Sequence, residues 1–380
     1  MQRGFRIFSI VLAIVLALYF SWSGAGRKLP PVDVRLHIDS LYQVGVDSGK
    51  GNLVGISPFM VPQDYASAAH LKAKLDGYLQ AAQLRGWLQP GTTVLFPEYI
   101  GTWLVVAGEK QAVFHAATVD EAMTKYVLSN VFSFLRNWFM APDEASDKVT
   151  HSVFASKAEK MARMYKDVFA SLASKYKVTI VAGSILLQNP VVTGQQIRIR
   201  NGPLYNVTAV FNPDGSLQSE LVYKAFPIAE EQPFLASKPV AGLPAYDLPG
   251  GRTSVAICAD AWFPDTYQSV RNKRGRIMLV PSYTQPDQSM DKPWAGYSGY
   301  HAPEGVDTTD IGKISLREAW MKYTLPGRLR STGATYGLLV TLRGKLWDMG
   351  TDGEFIAVTP QGVYTGQPGN GASMVSVYLR

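Results

Sequence analysis

Hydrophobic and polar positions along this chain fall into three kinds of pattern. The first is at the amino terminus, where Arg3 and Arg6 precede twenty uncharged residues, Ile7 to Gly26, and Arg27 and Lys28 follow. As a helix rising about 1.5 Å per residue, the stretch spans roughly 30 Å, enough to cross a bilayer core. Its small and polar end, Ser21 to Gly26, equally resembles a signal-peptidase site, so membrane anchor and cleaved signal are both open. Either way the flanking positive charge retains the amino terminus in the cytoplasm and exports the body of the chain, anchored or secreted. Residues 1–28 are thus the anchor or signal segment, 29–51 a Pro- and Gly-punctuated linker with room for a short strand, and 52–380 one domain.

The second pattern is short apolar runs ended by turn residues, and the third is apolar residues at helical spacing. Asn52–Met60 reads as a strand, Ala66–Arg85 as a helix with Leu71, Leu75, Leu79 and Leu84 along it, and Thr92–Pro97 as a strand ending at Glu98. Strand, helix and strand of these lengths make a βαβ unit. Val119–Ala141 and Phe154–Tyr176 read as helices and Val178–Leu187 as the strand they lead into. Tyr205–Phe211 and Leu217–Tyr223 flank Asn212-Pro213-Asp214-Gly215, a hairpin turn that delivers Lys224. Thr253 leads a buried strand into Cys258, and Arg276–Tyr283 follows as another strand. A long loop then holds Trp294, Tyr297 and Tyr300 before the helix Ser315–Tyr323. Tyr336–Leu342, Glu354–Thr359 and Met374–Leu379 close the series as strands. Hairpins set within β/α alternation predict an α/β fold of four layers, a two-sheet αββα sandwich with helices outside.

Composition narrows the classes. With 47% hydrophobic and 18% charged residues among 380, the chain is long enough for a large core and is no disordered tail. The net charge of +7 is dispersed, and its one cluster, Arg271, Lys273, Arg274 and Arg276, reads as a solvated face without the interleaved aromatics of a nucleic-acid site. One cysteine excludes an intramolecular disulfide, and none near the amino terminus excludes a lipid-modified one.

Glu98, Lys224 and Cys258 each stand at the carboxyl end of an expected strand, where open α/β sheets put their chemistry. A thiol with an ordinary pKa near 8.5 is only a few per cent thiolate at pH 7, so it needs a base. A carboxylate within reach takes its proton, and an ammonium holds the oxyanion formed when sulfur attacks a carbonyl or nitrile carbon. The backbone N–H of Ala259 is a second oxyanion donor.

Leu-Phe-Pro-Glu-Tyr at 95–99, Tyr223-Lys224 and Ile-Cys-Ala-Asp-Ala-Trp-Phe-Pro-Asp at 257–265 resemble the three signatures of the nitrilase, or carbon-nitrogen hydrolase, superfamily. The likeness runs from about Asn52 to Leu379, with 320–333 similar to the family's post-nucleophile helix. It implies an αββα sandwich, a Glu98-Lys224-Cys258 triad, attack on a small amide or acyl substrate, and a thioester intermediate, with no metal or other cofactor. It also implies a second glutamate shortly after the lysine, for which Glu231 is favoured over Glu230. Pocket candidates are Tyr99, Trp262, Tyr283 and Trp294. Ala259 stands where an aromatic is common in the family, and Trp262 where many members have arginine. The Cys and Lys motifs are similar to those of apolipoprotein N-acyltransferase as well, which makes N-acyl transfer the alternative reaction. A chain that keeps the fold as a binding scaffold is the non-enzymatic alternative. The apolar stretch 119–141, inside a long insertion between the Glu and Lys motifs, reads as a helix packed on the domain or at a homodimer interface, as a lid, or as a membrane-surface element.

Overall fold

A computed structural model describes residues 2–286, 288–351, 353–367, 369 and 371–380. Its frame is two sheets lying face to face. The larger has seven strands in the order β1-β16-β2-β4-β5-β6-β7: β1 Ile38–Val44, β2 Asn52–Ser57, β4 Thr93–Leu95, β5 Thr179–Thr193, β6 Gln196–Phe211, β7 Val222–Tyr223 and β16 Ala372–Tyr378. The smaller has six in the order β15-β14-β11-β10-β9-β8: β8 Ala245–Leu248, β9 Gly251–Val255, β10 Ile277–Ser282, β11 Tyr336–Thr341, β14 Ile356–Thr359 and β15 Gly362–Thr365. A three-stranded ribbon, β13 Met349–Thr351, β12 Arg343–Leu346 and β3 Phe59–Met60, sits at the margin.

Alternation along the strands sets the layers. On β2, Val54 and Ile56 join the core that includes α2 Ala68–Leu84 and α7 Ala158–Tyr176, whereas Leu53 joins the core between the sheets with Val340, Val375 and Val377. Gly55 lies on that inner face: a Cβ built there falls 2.7 Å from Val340 Cγ1 of the facing sheet and 3.0 Å from Val375 Cγ1 of the neighbouring strand, so the facing sheet comes close where β2 has no side chain. On the outside of the smaller sheet lie α8 Pro264–Asn272, α9 Leu316–Tyr323 and α10 Leu325–Arg328. The four layers are those the sequence predicts.

Several boundaries differ from the sequence reading. The segment 29–51 does hold a short strand, β1, which pairs in parallel with β16. The expected strand 52–60 divides at Pro58, which has no N–H to continue the ladder, and β3 turns into the ribbon. The expected hairpin second arm, 217–223, reduces to an isolated bridge from Leu217 to Phe211 and the two-residue β7. The larger hairpin is β5–β6, whose distal half carries Arg198, Arg200 and Gly202 and shows no apolar run.

The apolar stretch 119–141 is two helices, α4 Val119–Ser129 and α5 Val131–Phe139, broken at Asn130. Asn130 caps the break by donating its side-chain amide to Tyr126 O at 2.8 Å and Glu109 Oε2 at 3.0 Å. The short helix α3 Gln111–Phe114 precedes them. Between α5 and α7 lies α6 Lys148–Ala155, so the helix expected over 154–176 starts instead at Ala158. At the amino terminus, α1 Gln2–Gly24 is one exposed apolar helix, long enough to cross a membrane and fitting an anchor or a signal sequence.

Gly55→Val is expected to lower unfolding free energy by about 1–3 kcal/mol, because the added methyls must push the two sheets apart. Urea melts of both proteins measure this, and an unchanged midpoint would contradict the close approach.

Candidate active site

The three expected residues converge at the seam between the sheets. Glu98 follows β4 at the centre of the larger sheet, Lys224 follows β7 at its margin, and Cys258 follows β9 in the smaller one. The seam is tied by backbone: Glu98 N–H donates to Ser282 O at the end of β10, 3.2 Å away.

Lys224 Nζ lies 2.9 Å from Glu98 Oε1 and 2.6 Å from Glu231 Oε2, and all three side chains are nearly inaccessible to water. Asn206 Nδ2 donates to the same Glu98 oxygen at 2.8 Å. Glu231 also accepts from Tyr99 O–H and from Ile228 N–H. Of the two candidate glutamates, then, the structure puts Glu231 on the lysine. Glu230 is exposed and accepts from Ser298 Oγ at 3.2 Å.

Cys258 has φ 46°, the left-handed region that side chains rarely adopt, at the start of the 3-10 turn Cys258–Trp262. This elbow turns the thiol out of the strand direction, and such a backbone persists only where its surroundings enforce it. The enforcement is the buried Asp260 carboxylate, which accepts from Ile257 N–H at 3.1 Å and from Ala225 and Phe226 N–H at 3.0 and 2.8 Å. One side chain thus fixes the cysteine elbow to the two residues after Lys224. Ser282 Oγ donates to the sulfur at 3.2 Å, and the thiol points to Tyr283 O at 3.5 Å.

Electrostatics follow from burial. It pushes the Glu98 carboxyl above its ordinary range and outweighs the pull of Lys224, while Glu231 pushes the same way. The Cys258 thiol is raised by burial and then by Glu98, against Lys224. Burial opposes the charge on Lys224, but Glu231 and Glu98 together hold the ammonium well above its usual value. Asp260 is pushed up to about 7 by burial, against Lys224 and its three N–H donors. The resting site therefore holds a protonated thiol beside an ammonium shared by two carboxyl groups.

A cavity of about 790 Å³ opens over these groups. The expected pocket residues Tyr99, Ala259, Trp262, Tyr283 and Trp294 all line it. Trp262 stacks on Trp294 at 5.7 Å and meets Trp320 edge-on at 4.8 Å, so the indole in the arginine position builds an aromatic wall. The long loop covers the site: Tyr297 also lines the cavity, and Tyr300 packs on Phe263 and Phe226. Among the described residues, no group of three or more His, Cys, Asp or Glu side chains is arranged to hold a metal. Sequence reading missed Asn206, Ser282 and the bridging role of Asp260. Asn206 and Ser282 lie outside the motifs, and only the buried Asp in the cysteine motif carried a usable signal.

Residues 146–301 match the family model for carbon-nitrogen hydrolase. That segment is similar to the carbon-nitrogen hydrolase, or nitrilase, superfamily. The matched segment includes Lys224, Glu231 and Cys258, while Glu98 precedes it. A curated relative, the probable hydrolase YhcX of Bacillus subtilis, is 25% identical over 124 residues, which are 33% of this chain and 22% of that protein. The chain thus matches about a fifth of the length of that relative. Among solved structures, the amidase of Nesterenkonia sp. AN1 with acrylamide added at its active-site cysteine is 13% identical, with a TM-score of 0.48 over 87% of this chain and 93% of that one. Another structure of an amidase from Nesterenkonia sp. is also 13% identical, with a TM-score of 0.47 over 92% and 93%.

Asp260→Asn is expected to leave at least one of the three backbone N–H groups without an acceptor. Stability should fall by about 1–3 kcal/mol in urea melts, the cost of an orphaned buried donor. A variant as stable as the wild type would show that the carboxylate does not hold the elbow.

Proposed function

We propose that the chain is an amidase in which Cys258 is the nucleophile, Glu98 the proton carrier and Lys224 the oxyanion donor. The observation that carries this reading is the buried Lys224 ammonium held between Glu98 and Glu231, with the Cys258 thiol in the same cavity.

In this reading Glu98 takes the thiol proton as sulfur attacks the amide carbon, and the C–S bond forms as the carbonyl becomes an oxyanion. An ammonium has three N–H bonds. Two are directed to Glu98 and Glu231, and the third, with the Ala259 N–H, is assigned to the oxyanion. The protonated Glu98 then gives its proton to the departing nitrogen, the C–N bond breaks, and a thioester remains. Water attacks the thioester with Glu98 again as base; the acid leaves, and the proton returns to sulfur. A carboxyl group raised by burial suits this cycle, since a base whose pKa approaches the working pH both accepts and returns a proton readily. Glu231 accepts from Lys224, Tyr99 and the Ile228 N–H, which makes it the positioning group for the ammonium. The exposed apolar helix α1 supports a tethered or exported enzyme.

Cys258→Ala is expected to abolish turnover of small amides, and wild type quenched during turnover to carry an acyl adduct on Cys258 by mass spectrometry. Turnover by the alanine variant would sink the assignment. Glu98 must be ionised to accept the thiol proton, and burial raises its pKa, so kcat/KM should fall with decreasing pH along an acid limb centred above the ordinary carboxylate value. Glu98→Gln should cost about 10²–10⁴-fold in kcat and remove that limb; a limb unchanged in the variant would assign it to another group.

A further inference from the structure

A second cavity adjoins the catalytic one, and its walls have a different character. It measures about 560 Å³, within the ordinary size of a small-ligand pocket. Trp103, Val127, Phe134, Val153, Phe154 and Met349 line it. The charged and hydroxyl groups that touch it on α4, Asp120 and Thr124, are solvent-exposed, which places polarity at the mouth. The two cavities share four lining residues, Tyr99, Phe234, Tyr283 and Gln285. Tyr99 and Tyr283 meet edge-to-face at 5.6 Å, and Tyr99 donates to Glu231. The apolar cavity and the one holding Lys224 and Cys258 thus adjoin across a pair of tyrosines.

Its outer wall is the broken helix α4–α5, and the far side of that wall is apolar as well. Phe132, Leu135 and Phe139 of α5, at spacings of three and four, are 49%, 42% and 83% exposed. The end of α1 lies on this wall: Phe20 stacks on Phe132 at 5.5 Å, Tyr19 meets Phe132 at 5.3 Å, and Tyr19 O–H donates to Leu128 O. The helix long enough to cross a bilayer therefore ends against the element that closes the second cavity, and the exposed apolar stripe continues from it.

We propose that the second cavity is a subsite for the hydrocarbon chain of an amphiphilic, membrane-soluble amide whose carbonyl carbon lies at Cys258. The proposal rests on the amidase reading for the position of the amide, while the chain-binding half stands on the cavity itself. A small polar amide leaves this space unused. An alkyl chain fills it with apolar contacts on Trp103, Phe134, Val153 and Phe154, and leaves only the amide for the polar groups beyond Tyr99 and Tyr283.

The test uses the full chain in neutral detergent micelles and two substrate series. Primary amides from acetamide to dodecanamide extend the chain on the acyl side, and N-alkyl acetamides from methyl to dodecyl extend it on the nitrogen side. In one series kcat/KM should rise about fourfold per added methylene until the cavity is full, the increment expected for each buried CH₂, and the series that rises shows which side of the amide carries the chain. Met123→Trp, which projects into the cavity from α4, should flatten the rise. A flat dependence in both series would overturn the subsite. Binding separates this failure from failure of the amidase reading: the affinities of Cys258→Ala for dodecanamide and for butanamide are measured by isothermal titration calorimetry. Tighter binding of the longer amide, lost with Met123→Trp, supports the subsite even where no amide is turned over, and equal binding of the two overturns it.

Discussion

The site depends on one buried cation. Lys224 is almost fully removed from water, and an ammonium there is tolerated only because Glu98 and Glu231 sit at 2.9 and 2.6 Å. The trio carries a net negative charge when both carboxyl groups are ionised, and this excess acts on the cysteine. Burial, and after it the Glu98 carboxylate, disfavours a thiolate there against the pull of Lys224. Burial likewise raises the Glu98 carboxyl, against Lys224 and with Glu231. Removing the lysine would leave two buried carboxylates facing each other, so its charge serves stability and chemistry at once.

Holding that trio against a sulfur on another sheet is a problem of registration, and buried backbone hydrogen bonds solve it. Glu98 N–H reaches Ser282 O across the seam, and Asp260 gathers the N–H groups of Ile257, Ala225 and Phe226. The strained Cys258 backbone is thereby over-determined: its elbow cannot relax without orphaning buried donors on the lysine loop. The close approach of the sheets at Gly55 belongs to the same requirement, since a side chain there would separate the faces that bring Glu98 and Cys258 together.

How much of this the sequence discloses depends on the range of the interaction. Local signals served well: short apolar runs marked β2, β10 and β11, and Ser315 with Glu318 forms the capping box of the helix expected from that point. The three motif residues are legible because each sits at a strand end with its type intact. Long-range pairing is not written locally. β1 is a polar-looking edge strand defined by its partner β16 more than three hundred residues away, and the distal half of β6 is a solvent-facing ribbon with charged side chains. Asn206 touches Glu98 across 108 positions, a relation no spacing rule reveals. The break at Asn130 was invisible for another reason: apolar periodicity continues through it, and only the contacts of Asn130 with Glu109 and Tyr126 end the helix.

Glu109 links the amino-terminal segment to this core. Its side chain is wholly buried and lies 3.0 Å from Arg27 Nη1, within contact of Lys157 Nζ, and 3.0 Å from the Asn130 amide. Burial pushes Lys157 down to about 8, against the attraction of Glu109, and Arg27 is a second cation on the same carboxylate. Breaking a buried pair by removing one partner typically costs about 3–5 kcal/mol. The segment following α1 is therefore part of the folded body: Arg27 also donates to Ser129 O and Gly108 O, at the α4–α5 break and just before Glu109. Because the same break sets the angle between α4 and α5, the junction that orients α1 also shapes the wall over the second cavity. One buried carboxylate therefore joins the segment after the apolar helix to the break in that wall.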